Sequence, residues 1–146
     1  MLLRTSNWRL FLKKFVCGIK NISSKSRILM SCRSYLNLFK NLENLQGCEW
    51  YGVEIWEPWV PKYKLDEIYD NFYLEDVRTF DYSKVGQTDI TFAGDVIEHM
   101  KKEEALAMTN KLLDISDNLY LSIPIIYMPQ GPDEGNPYEV HVKPDW

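Results

Sequence analysis

Thr88-Asp89-Ile90-Thr91-Phe92-Ala93-Gly94-Asp95-Val96-Ile97-Glu98-His99-Met100 is the stretch on which the fold turns. Its first six residues read as a short buried strand, Gly94-Asp95 ends it, and good helix formers from about Lys101 to Leu113 predict a helix after it. Strand, turn, helix is the repeating unit of an α/β sheet, and it recurs on both sides. Upstream, Arg27-Ile28-Leu29-Met30-Ser31 reads as a strand, followed by a helical pattern through Leu36, Phe39, Leu42 and Leu45 that stops at Gly47. Trp50-Tyr51-Gly52-Val53-Glu54-Ile55 is the next strand, stopped by Pro58, and a helical stretch around Tyr63 to Tyr69 leads to a third, Phe72-Tyr73-Leu74. Downstream, Asn118 to Ile123 is a fifth strand halted by Pro124. Strands alternating with helical segments predict right-handed crossovers and a mainly parallel sheet covered on both faces.

A chain of 146 residues, 45% hydrophobic and 26% charged, suits one globular domain, and no apolar run approaches the roughly 18 residues needed to span a bilayer. Charge is unevenly placed. Eight of the 17 basic residues and none of the 21 acidic ones lie in the first 33 positions, so an acidic body follows a basic arm. That body argues against a broad nucleic-acid footprint. We therefore divide the chain into a basic arm or helix, 1–26, and a domain, 27–146. Within the arm, Trp8, Leu12, Phe15 and Ile19 fall at helical spacing among lysines. Such a helix is compatible with an organelle transit peptide or with a cap on the domain. Cys17, Cys32 and Cys48 match no metal or redox spacing and read as reduced thiols of a cytoplasmic protein. The Pro- and Gly-punctuated tail from Ile125 to Trp146 is expected to be mostly loop.

In a doubly wound sheet the ligand lies outside the carboxyl ends of the strands, where strand order reverses. Glu54 ends the second strand, Asp76 follows the third and Asp95 follows the fourth. A carboxylate at the end of the second strand can accept both ribose hydroxyls of an adenosine. Each acid alone also fits a turn or an N-cap; their order along the chain is what points to a ligand.

The run Gly94-Asp95-Val96-Ile97-Glu98-His99-Met100 before Lys101-Lys102-Glu103-Glu104-Ala105 resembles the motif that follows the fourth strand in class I S-adenosylmethionine-dependent methyltransferases. Trp50 to Glu54 resembles that family's second strand, and Leu74-Glu75-Asp76-Val77 its third-strand turn. Ser122-Ile123-Pro124 with Gln130-Gly131 and Gly135 to His141 looks like the stretch after the fifth strand in one branch of the family. The resemblance implies a Rossmann-like sheet of order 3-2-1-4-5 and S-adenosyl-L-methionine as cofactor. Glu54 and Ile55 would serve the ribose side, Asp76 and Val77 the adenine, and Asp95 and Val96 the amino-acid portion. Met30 and Cys32 would lie at the first turn, with Asp95 and His99 as catalytic residues. It implies a methyltransferase whose acceptor the sequence does not name.

The chain departs from the family at the first turn, where Met30-Ser31-Cys32-Arg33-Ser34 replaces a Gly-rich segment that lets the backbone approach the cofactor closely. The family's last two strands also have no counterpart before Trp146, which predicts an open fifth-strand edge suited to self-association. Both departures suggest a truncated or degenerate member, and they support an alternative in which the chain is an inactive methyltransferase-like binding or scaffold protein. A nicotinamide-binding enzyme would also explain Glu54, but it requires a Gly-x-Gly-x-x-Gly turn that is absent. His99 and His141 are the only histidines, and no Cys or acid stands at a metal-ligand spacing from them, so no metal site is expected. Tyr138, Glu139 and His141 read as an acceptor-side lid or a surface loop, and Trp50, Trp56 and Trp59 as packing.

Overall fold

Alternation along β1 (Arg27–Met30) and β2 (Glu49–Glu54) sends side chains to two apolar faces at once, the pattern of a sheet covered on both sides. Ile28, Met30 and Trp50 join one buried cluster; Leu29, Tyr51 and Val53 join the other. The computed structural model describes residues 25–31, 45–124 and 127–142. Most of the basic arm, Cys32 and most of the helical pattern of 36–45 therefore lie outside the described residues.

After β2 come two short helices, α1 (Trp59–Tyr63) and α2 (Leu65–Ile68), then β3 (Asn71–Leu74) and a 3₁₀ turn at Tyr82–Lys84. β4 (Ile90–Gly94) is followed by a 3₁₀ turn at Ile97–His99, helix α3 (Lys102–Ile115), β5 (Leu119–Ser122) and a last 3₁₀ turn at Pro137–Glu139. The five strands form one sheet in the order β3-β2-β1-β4-β5, and every neighbouring pair is parallel. This is the Rossmann-like order that the sequence predicts.

The single helical stretch expected near Tyr63 to Tyr69 is instead two helices. Lys64 takes φ 53° between them, a left-handed conformation that breaks the helical path, while Pro61 falls in the first turn of α1, where no backbone donor is needed. Trp59 and Leu65 seat this pair on one face; Ala105, Met108 and Leu112 of α3 cover the other. Gly52 in β2 is set by packing, since a Cβ there would stand 2.4 Å from the Tyr69 ring. Behind the sheet, Thr88, Thr91 and Ser116 satisfy one another's hydroxyls at 2.6 to 3.4 Å, so the buried polar atoms joining β4 to the end of α3 are paired. β5 has only β4 beside it among the described residues, and Leu121 and Ile123 are 41% and 46% exposed there.

Candidate functional site

Strand order reverses between β1 and β4, so their carboxyl ends diverge and leave a crevice. A solvent-open cleft of about 150 Å³ lies there, at the place where such sheets bind their ligands. Glu54, Ile55, Asp76, Val77, Asp95, Val96 and His99 all line it. Met30 does not: its side chain is fully buried in the core beneath, and the next residue, Ser31, reaches the cleft wall. Cys32 lies outside the described residues.

The carboxylates on the β2 and β3 side are already engaged. Glu54 Oε1 accepts hydrogen bonds from the backbone N–H groups of Ile55 and Trp56, both at 2.9 Å, which fixes the carboxylate at the strand end. Asp76 accepts from the Arg78 backbone N–H at 2.9 Å, and its two oxygens face the Arg78 guanidinium at 2.5 and 2.9 Å. Burial works to raise the Asp76 pKa, but the hydrogen bonds and charge of Arg78 outweigh it and hold the carboxyl below its ordinary range. Arg78 reaches on to Glu104 at 3.4 Å, and Glu104 accepts from the Lys101 N–H at 2.9 Å at the start of α3. One arginine thus ties the β3 turn to the helix that follows β4.

On the β4 side the chain leaves the strand through Asp95, whose φ of 53° is unusual for a residue with a Cβ. Its N–H donates to the Ser122 carbonyl at 3.0 Å, anchoring the turn to β5. The 3₁₀ turn beyond presents Glu98 and His99. Glu98 Oε2 and His99 Nδ1 are both buried without a hydrogen-bond partner. Desolvation, reinforced by the charges of Asp95 and Glu139, pushes the Glu98 pKa up to about 7. Desolvation and then His141 push His99 down, so its imidazole favours the neutral form.

The C-terminal segment closes the cleft's outer wall. Glu134 binds Trp59 Nε1 at 3.2 Å and also pairs with Lys62 and the Tyr63 hydroxyl, tying the segment to α1. At its far end the Val142 N–H donates to the Glu98 carbonyl at 2.8 Å. Between these anchors Asn136, 1% exposed, accepts from the Tyr138 N–H at 2.9 Å, and Tyr138 meets Trp56 edge-on at 6.3 Å. The loop read from Pro and Gly is therefore an ordered wall, and Asn136, Tyr138 and Glu139 line the cleft.

Trp50 is core packing as expected, whereas Trp59 packs in the core and also lines the cleft. Sequence reading passed over Arg78 and Glu98. The Asp-x-Arg spacing of an Asx-type turn was a usable signal for the first. For the second, spacing along the chain was no guide, because His141 reaches the Glu98–His99 turn from a distant segment: the His99 and His141 rings stand 4.8 Å apart.

No family model matches the chain, and no curated protein does. Solved structures do. The N-terminal domain of EvdMO1 with SAH bound is 16% identical with a TM-score of 0.59, covering 79% of this chain and 47% of that one. The plantazolicin methyltransferase BpumL in complex with SAH is 17% identical, TM-score 0.57, covering 77% and 44%. Magnesium protoporphyrin IX methyltransferase from Synechocystis PCC 6803 with bound SAH is 19% identical, TM-score 0.54, covering 76% and 51%. The chain spans about half the length of these proteins. At these identities the likeness establishes the fold, which is the Rossmann-like fold of S-adenosylmethionine-dependent methyltransferases. Among the described residues no helix is long and apolar enough to cross a membrane.

Proposed function

We propose that this chain binds S-adenosylmethionine in the cleft at the β1–β4 switch point and passes its methyl group to an acceptor held against the C-terminal segment. The observation that carries this reading is the convergence of Glu54, Asp76 and Asp95, from three different strand ends, on one cleft. When bound, the cofactor supplies an electrophilic methyl on a sulfonium; the protein's own contribution is positioning and charge. Glu54, already oriented by two backbone donors, accepts from the ribose hydroxyls. Ile55 lies beside the ribose, Val77 offers an apolar wall to the adenine, and Asp76 serves there through its own carboxylate or through Arg78, which it holds in the cleft lining. Asp95 and Val96 face the amino-acid portion. His99, kept neutral by burial, takes a proton from an acceptor that must lose one.

Titration with SAH of the wild type and of Glu54→Gln tests this. The variant keeps the shape and loses the charge, so the expected loss is about 1.5–3 kcal/mol, tenfold or more in affinity. Unchanged affinity with unchanged stability would place the adenosine elsewhere.

The second reading, a methyltransferase-like binding or scaffold protein, is favoured by one specific feature: no glycine stands between Met30 and Ser34 where close backbone approach is needed. It predicts no SAH binding even in a Cys32→Gly, Ser34→Gly double variant, whereas the first reading predicts tighter binding there. Self-association, if it occurs, belongs to the β5 edge with Leu121 and Ile123, and sedimentation of Leu121→Lys beside the wild type measures it.

A further inference from the structure

We propose that Glu98, His99 and His141 form a binding site for one divalent first-row transition metal ion, which clamps the C-terminal segment to the turn after β4. The proposal goes beyond methyl transfer and needs no methyl donor; it replaces the role of His99 as proton acceptor, because the imidazole lone pair that would take the proton binds the ion instead.

Three observations converge. First, one donor atom from each residue lies within 4.8 Å of the others, and both histidines of the chain are in the cluster. Second, Glu98 Oε2 and His99 Nδ1 are buried with no hydrogen-bond partner. An unsatisfied buried carboxylate oxygen beside an unsatisfied imidazole nitrogen is costly in a folded protein unless something binds both. Third, the His141 ring is held from its other side. His141 Nδ1 lies 2.6 Å from the Met128 carbonyl, which places the proton on Nδ1 and leaves the Nε2 lone pair available. A histidine whose second nitrogen donates to a backbone carbonyl is oriented as metal-ligating histidines are.

The scaffold around the cluster is continuous. Glu98 and His99 are adjacent on the 3₁₀ turn, Val142 N–H donates to the Glu98 carbonyl at 2.8 Å, and His141 N–H donates to the Gln130 carbonyl at 3.2 Å. Metal–ligand bonds of about 2.0–2.2 Å set neighbouring donors about 3–3.5 Å apart, so the three side chains must draw in by about 1–2 Å, within reach of their own torsions. Two imidazoles and one carboxylate select zinc, manganese, iron or cobalt over magnesium and calcium, which prefer all-oxygen shells. Of the three residues, His99 also lines the cleft.

The competing account is an apolar contact between two rings beside a protonated Glu98, with no ion. Calorimetric titration of the chelator-treated full chain with Mn²⁺, Co²⁺ and Zn²⁺ separately decides between them, and the Mn²⁺ arm avoids thiolate binding by the three cysteines. We expect one ion per chain for at least one of the three, a rise in melting temperature with that ion, and a loss of tenfold or more in affinity in both Glu98→Gln and His141→Ala. Glu67→Gln, an exposed acid of α2 outside the cluster and its segment, should bind as the wild type does. Absence of binding by the folded wild type to all three ions would overturn the proposal. So would wild-type affinity in folded Glu98→Gln, a variant that keeps the side-chain shape should His141→Ala fail to fold.

Discussion

On the β3 side of the cleft the Asp76 carboxylate has four polar contacts within a two-residue turn, all from Arg78, which also reaches Glu104 of α3, and it stays ionised. On the β4 side, on the turn that carries the cleft residue His99, Glu98 has a buried oxygen with no partner and is pushed toward the neutral form. Both are acids on turns that leave a parallel strand, and both are partly withdrawn from water. What separates them is whether a cation is built into the local sequence: Arg78 stands two residues after Asp76, while the neighbour of Glu98 is a histidine that burial keeps neutral. A preorganised, satisfied acid suits steady binding; an unsatisfied one is a place where a proton or a metal ion changes the energy.

The strongest way to break this contrast is to remove the cation from the satisfied side. Arg78→Ala leaves Asp76 partly buried without its ion pair and also cuts the link to Glu104. We expect a loss of about 2 kcal/mol, read as a lower urea midpoint with an unchanged slope. A loss near zero would mean that the pair is merely a surface contact.

The next test acts on the unsatisfied side, with chelator present so that no ion intervenes. Because the folded-state pKa of Glu98 is raised above its ordinary 4.5 to about 7, the native chain holds a proton that the unfolded chain releases between those values. Stability contributed by this group therefore falls as pH rises from about 4.5 to 7, and its cost is fully present above 7. Glu98→Gln should flatten that slope and, at pH 8, be more stable than the wild type by about 1–2 kcal/mol, a figure already reduced for solvent screening of a half-buried group. Parallel stability–pH curves for the two proteins would remove the contrast.

The smallest effect concerns the wall that joins the two sides. Tyr138→Ala deletes the edge contact with Trp56 and should cost about 0.5–1 kcal/mol in thermal unfolding, while opening the outer face of the cleft.

The strands were legible because each apolar run was bounded by Pro, Gly or an acid, and α3 because its helix formers follow the Asp95 to His99 string without interruption. The positions of Glu54, Asp76 and Asp95 followed from topology, since a parallel sheet puts all its carboxyl ends on one rim. The break at Lys64 was not legible: a lysine gives no sign of a left-handed φ, which tertiary packing of Trp59 and Leu65 on the sheet imposes. Nor was the approach of His141 to Glu98 and His99, because it depends on where the C-terminal segment is pinned, at Glu134 and at Val142, and neither contact has a signature in spacing. Burial of Met30 beside the cleft-lining Ser31 shows a third limit, that a one-residue shift along a strand exchanges core for cleft.

Asp95 holds a backbone conformation that glycine would adopt more readily, and the difference is about 1 kcal/mol against any residue with a Cβ. Mutational drift judged on folding alone would therefore run away from the carboxylate. A library of variants at this position, sorted only for survival after heating, should fill with Gly and Asn, and the aspartate would persist only in a population also required to keep whatever the cleft does.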